Sequence, residues 1–246
     1  MSTTKDIILG TIEVLEIKDL FPYSLGNFIS SEMINVIGWG YYNTDTPQNG
    51  DYRYRLDIEI QNEKDDYINK QLVALLMNPS NTYPDTGFDY TIKNIIRIAY
   101  KMKYKNIVVF NSSPYIDGNS DSQRNQQQNT SINQNYIDSN TMYVNNYLTS
   151  TKVFDFLIAW GGDKSKITNE QTYLQTYYNL KTEKDEIPII YTYCKTKNNK
   201  PCHASIRVQN KYGYVSKFLN DGKFIELEII KRRYRNADLY TFKAQN

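Results

Sequence analysis

Four short polar motifs in this chain carry residue types that can do chemistry, and each follows an apolar run. Leu72 to Met77 leads into Asn78-Pro79-Ser80, and Asn106 to Phe110 leads into Asn111-Ser112-Ser113-Pro114. Val153 to Trp160 leads into Gly161-Gly162. Ile187 to Tyr193 leads, after a lysine-rich loop, into Cys202-His203-Ala204-Ser205. In an open α/β sheet, ligands bind beyond the carboxyl ends of parallel strands. If the four runs are such strands, all four motifs meet at one edge.

Pro79 fixes its own φ and biases Asn78 to an extended conformation, so the chain turns sharply there. The turn aims the Asn78 side chain and nearby N–H groups out of the sheet; read alone, the motif is simply a turn. The Asn111 amide offers a donor and an acceptor, which suits the Watson–Crick edge of a base as well as the capping of a loop. His203 is the single histidine of the chain. A histidine beyond a strand end can donate to a developing oxyanion. The surrounding Lys195, Lys197, Lys200 and Arg207 disfavour its protonated form, which predicts a neutral donor. Phe88, ten positions beyond Asn78, can fold back as a stacking ring or pack in the core. No phosphate-cradling glycine loop, Gly-x-Ser-x-Gly elbow or zinc-deaminase signature is present.

The elements that must position these residues follow from periodicity. Ile7 to Ile17 and Tyr52 to Ile60 alternate as half-buried strands do, and residues 1–70 read as a β-rich extension in which no chemistry is apparent. From about residue 71 the pattern becomes strand, helix, strand, helix. Strands are predicted over 72–77, 106–110, 153–160 and 187–193. Helices are predicted over 90–103, 131–149, 169–180 and 211–219, with a last strand over 224–230, possible at the sheet edge. The polar stretch 117–129 reads as a surface loop. Such alternation implies right-handed crossovers. The expected fold is α/β: a three-layer α/β/α sandwich over residues 71–246, with a central parallel sheet of about four strands.

The chain has 246 residues and a net charge of +2. Residues 195–246 hold 12 Lys and Arg against four Asp and Glu, so the remainder is net acidic. A basic C-terminal quarter suits a polyanion or a solvated surface. Tyrosine is abundant, with 23 residues. AT-rich coding accounts for that, although aromatic rings can also stack on bases. Two cysteines and one histidine cannot complete a four-ligand zinc site without carboxylates, and no metal or other cofactor is expected. Reduced thiols are expected for Cys194 and Cys202. No signal peptide and no membrane span is read, so the expected location is the cytoplasm.

The motifs, in their order, resemble the uracil-DNA glycosylase superfamily across residues 70–222. Asn78-Pro79-Ser80 is similar to that family's first motif, whose leading residue positions the attacking water. Phe88 matches its base-stacking aromatic, and Val108-Val109-Phe110-Asn111 its base-reading strand. Phe156 to Gly161 resembles its strand ending in Trp-Gly, and His203-Ala204-Ser205 its second motif, His-Pro-Ser. The Tyr52-to-Ile60 lead-in, Asn-Pro-Ser, Asp89-x-Thr91, Trp-Gly and the late histidine also resemble the domain of unknown function 1643 of bacteria and mobile elements, which is the nearer family.

The resemblance implies a DNA glycosylase that removes uracil from a flipped nucleotide. It assigns Asn78 and His203 to catalysis, and Met77, Tyr83, Phe88 and Asn111 to base binding. Ser80, Ser112, Lys200, Ser205 and Arg207 would hold DNA phosphates, making affinity salt-sensitive. The chain departs from the pattern at several places. Asn78 stands where the most active branch has Asp, and an amide is no general base. Ala204 replaces the proline, the apolar wedge is either Ile206 or absent, and Arg207 has no counterpart in the family. The rival reading is a non-catalytic nucleic-acid-binding protein on the same fold, serving a mobile element. A third is an enzyme acting on free nucleosides or nucleotides.

Overall fold

Leu72 to Leu76 is apolar without interruption because both of its faces are covered. In the computed structural model it forms the inner half of β4 (Ile68–Leu76). Leu72, Ala74 and Leu76 join one hydrophobic cluster, while Val73 and Leu75 join a second. The structure describes residues 21–29, 34–43, 51–62, 66–79, 88–116, 131–150, 154–161, 170–183, 188–196, 201–205, 210, 213–221, 223–234 and 237–244.

β4 pairs in parallel with β5 (Tyr104–Asn111) on one side and β6 (Phe154–Ile158) on the other. β7 (Ile190–Thr192) pairs in parallel with β6. These are the four parallel strands read from the sequence, but they are only the middle of the sheet. β3 (Arg53–Ile60) pairs antiparallel with β5, and β2 (Asn35–Tyr42) and β1 (Phe21–Ile29) follow outward. On the other side β8 (Ile225–Tyr234) pairs antiparallel with β7, and β9 (Ala237–Ala244) with β8.

The result is one mixed α/β sheet in the order β1-β2-β3-β5-β4-β6-β7-β8-β9. The four expected parallel strands are thus the centre of a sheet of nine strands among the described residues. The alternating lead-in buries Leu56, Ile58 and Ile60 in the same cluster as the parallel strands, which widens the sheet. The strand expected at the edge is β8, and β9 lies outside it. The strand expected over 7–17 and the loop over 117–129 fall outside the described residues.

Helices pack on both faces. α1 (Tyr90–Lys101) lies on the first, with Ile92, Ile95, Ile96 and Ala99 in its cluster. Asp89 caps it, accepting from the N–H groups of Thr91 at 2.6 Å and Ile92 at 3.0 Å; such caps typically contribute about 1 kcal/mol. α2 (Ser131–Ser150) and α3 (Glu170–Glu183) lie on the second face through Val144, Leu148, Tyr173 and Leu174. α4 (Tyr214–Asp221) returns to the first face with Val215 and Phe218. No helix among the described residues is long and apolar enough to cross a membrane.

At the amino ends of the parallel strands, the buried Asp155 ties several elements together. It accepts from the Tyr104 hydroxyl at 2.7 Å and the Ile189 N–H at 3.1 Å, with Lys70 Nζ at 3.6 Å. Asp155→Ala leaves all three donors without this acceptor and is expected to cost about 2–4 kcal/mol. Urea unfolding followed by circular dichroism measures the loss. Asp155 lies far from the carboxyl edge, so this variant reports on the frame alone.

Candidate functional site

Three strand-end segments converge at the carboxyl edge. Leu76 of β4 is in register with Asn111 of β5, and Leu75 with Ile158 of β6. The Met77 carbonyl accepts from the Ser113 N–H at 3.0 Å and from the Ser112 hydroxyl at 2.8 Å. The Asn78 turn and the Asn111 turn are thereby braced against each other. Ser112 is buried, with its hydroxyl donating to this brace. Met77 packs with the second cluster, so its side chain serves the core beneath α2 and α3 and its carbonyl serves the turn. Asn78 is half-buried, and its amide approaches the Pro79 carbonyl at 3.5 Å.

Asn111 is only 1% exposed, yet neither its amide nitrogen nor its amide oxygen has a hydrogen-bond partner. Its backbone carbonyl is held by Asn140 of α2 at 2.8 Å. Alternation along β5 puts Val109 in the first cluster and Phe110 in the second, which returns Asn111 to the first face. An unsatisfied buried amide costs about 1–3 kcal/mol. A buried unpaired amide calls for an explanation, and a ligand is one of those open to it.

Phe88 is buried in the first cluster. A Cβ built on Gly38 of β2 would stand 2.5 Å from its Cζ. Gly38 is therefore the trough in which the ring lies, and the ring belongs to the wall of the first face.

His203 follows β7 on a loop tied at its base by the Cys202 N–H to Cys194 carbonyl bond, 3.0 Å. Both thiols are free, and the hydrogen bond between them lowers the pKa of Cys194 and raises that of Cys202. Beyond them, the Tyr193 hydroxyl donates to the His203 carbonyl at 2.7 Å, and Asn94 of α1 donates to the Ala204 carbonyl at 2.8 Å. These anchors fix the histidine against β6. Gly161, three residues beyond that strand, has φ +97°, a left-handed conformation that suits glycine, and a Cβ there would lie 3.4 Å from the His203 Cβ.

The state of the ring follows from two facts. The Ser205 N–H donates to His203 Nδ1 at 3.0 Å, so the neutral imidazole carries its proton on Nε2. Burial pushes its pKa down from 6.5 to about 4, opposed by nearby Asp89. The neutral state expected for this ring has desolvation as its first cause.

Between about pH 6.5 and 4 the unfolded chain binds a proton at this residue that the folded chain refuses. The corresponding stability is complete above 6.5 and is lost as pH falls through that window. Urea midpoints at pH 7 and pH 5 are expected to differ less in His203→Gln than in the parent.

Ser205 is half-buried beside the imidazole. Ser80, Tyr83, Lys200 and Arg207 lie outside the described residues. The basic quarter divides in two. Ile225 pairs with Thr192 near the carboxyl edge, and β8 then runs away from that edge. The exposed Lys231, Arg232 and Arg233 therefore lie toward the opposite one.

The sequence reading missed Arg53, at the start of β3 in a segment that showed no chemistry. It is 1% exposed. The strict alternation of Arg53, Arg55 and Asp57 makes all three look solvent-facing. A register shift between Tyr41 and Tyr42 breaks that alternation, and no residue in the sequence marks it.

Residues 53–204, more than half of the chain, match the model of a family described as Protein of unknown function (DUF1643). No curated protein and no solved structure matches the chain.

Proposed function

We propose, from the premise that this chain belongs to the DUF1643 family, that it is a DNA glycosylase acting on uracil in the cytoplasm. The observation that carries this reading is the pairing, at one sheet edge, of a neutral His203 bearing its proton on Nε2 with a buried, unpartnered Asn111 amide. One group suits a developing oxyanion and the other an imide edge.

In the proposed reaction a flipped nucleotide places its base on the first face, with Asn111 reading the imide and Phe88 in the wall. Asn78, on the braced turn, holds a water. The water oxygen bonds to C1′ as the C1′–N1 bond breaks, and the electron pair leaves with the base. His203 Nε2–H donates to the base O2 as negative charge gathers there. The water gives up its proton to solvent, and the products are an abasic sugar and the free base. Asn78 cannot take that proton, so its contribution is positional.

One observation favours a second reading, a nucleic-acid-binding module without catalysis: Asn78, an amide, occupies the end of β4 where a stronger water activator would be a carboxylate. Labelled oligonucleotides with one uracil, single- and double-stranded, followed by alkaline cleavage, separate the two. Scission lost in both His203→Ala and Asn78→Ala supports the glycosylase. DNA binding without scission of uracil, hypoxanthine or thymine mismatches supports the binding module.

A further inference from the structure

Arg53 and Arg55 stand two residues apart on β3 and live in opposite circumstances. Arg55 forms a two-pronged ion pair with Asp57, at 2.5 and 2.7 Å, between the rings of Tyr41 and Tyr147. Arg53 is buried more completely, and no carboxylate pairs with it among the described residues. Its Nε and Nη1 have no hydrogen-bond partner, and the group that meets its guanidinium is the neutral Tyr42 hydroxyl. Taking a guanidinium out of water without an anion is costly, and arginine does not escape by losing its proton.

Its position is specific. Tyr42 is the cross-strand partner of Arg53, and Tyr41 that of Arg55, so Tyr54 is the extra residue of a bulge. The bulge lets Arg53 share the side of Tyr42 while Tyr54 packs in the second cluster. The Arg53 N–H donates to the Pro114 carbonyl at 2.8 Å. That bond fixes the start of β3 beside the Asn111–Pro114 turn, one strand spacing away, about 5 Å. The unsatisfied Asn111 amide is on that turn, and it and the guanidinium do not satisfy each other.

We propose that Arg53 is a specificity residue of the same site, and that the preferred base is acidic: a planar ring with an imide edge for Asn111 and an ionised oxygen substituent, such as a carboxylate, for Arg53. This rests on the glycosylase reading for the choice of a base as ligand. The chemistry is complementary. An amide donor and acceptor match an imide, and a guanidinium with free N–H groups matches a carboxylate through charge-assisted hydrogen bonds. In a dry site the pairing is weakly screened, and a neutral base such as uracil leaves the cation unanswered.

The test is binding by the full chain, measured by calorimetry and independent of any cleavage. The probes are uracil-5-carboxylate, uracil-5-carboxamide and uracil. The carboxylate is expected to bind about tenfold or more tightly than the isosteric amide. Arg53→Met is expected to abolish that preference, the carboxylate and the carboxamide then binding within about twofold of each other. Arg53→Lys, which keeps the charge, is expected to retain part of it. Equal affinity of the parent protein for carboxylate and carboxamide overturns the proposal without recourse to any variant. So does a preference that survives in a folded Arg53→Met, which would make Arg53 a purely structural residue. Failure of the glycosylase reading itself appears elsewhere, as absence of strand scission on every base, including the carboxylated one.

Discussion

His203→Ala should lower uracil excision by about 10²–10³-fold, the usual cost of removing one preorganised donor from an oxyanion site. The loss should fall on kcat, because the base O2 carries its charge only as the glycosidic bond breaks. Single-turnover scission at saturating enzyme reads this directly. Oligonucleotide affinity should change little, since the imidazole is neutral at working pH. The acid limb of the parent's profile should lie near pH 4 rather than 6.5, because protonation breaks the Ser205–Nδ1 bond that sets the tautomer. A profile falling at pH 6.5, or a variant as active as the parent, would remove His203 from the mechanism.

Asn78→Asp should move activity in the opposite direction. In the proposed reaction the parent side chain orients water, and an amide cannot accept its proton. A carboxylate on the same braced turn can, and general-base assistance typically contributes about 10²–10⁴-fold. The gain should be greatest above the carboxyl's own titration. It should vanish in the His203→Ala background if the two groups act on one transition state. A gain of this size would separate a slow enzyme from a binding module, because a protein without a bound, flipped base has nothing for the new carboxylate to activate. An unchanged, undetectable rate in Asn78→Asp would favour the module.

Much of the frame could be read from the sequence because burial on two faces leaves a plain mark. The runs through Leu72–Leu76 and Phe154–Ile158 are apolar throughout because helices cover both sides. The stripe Ile92, Ile95, Ile96 and Ala99 is helical in spacing for the same reason. The width of the sheet was not legible. Alternation identifies a strand but does not name its neighbour, and β3 pairs with β5 rather than with the next strand in sequence. β1 and β9 escaped because glycine and proline interrupt the first, and alternation is mixed with charge in the second. At the site, Asn78, Asn111 and His203 were marked by their place after strand ends. Arg53 was not, because its burial depends on a bulge whose cause is tertiary.

The strand order also orders events during synthesis. β1, β2 and β3 are neighbours in sequence and in space, so they can pair as a meander while the rest of the chain is still being made. Their mooring, β5, emerges only after β4 and α1. Until then the free edge of β3 offers unpaired N–H and C=O groups to any passing strand. When β5 arrives it is claimed from both sides, antiparallel by β3 and parallel by β4. The ribosome therefore releases the lead-in early and completes its anchorage late. The same closure brings the start of β3 beside the turn after β5, while the His203 side of the carboxyl edge waits for β6 and β7.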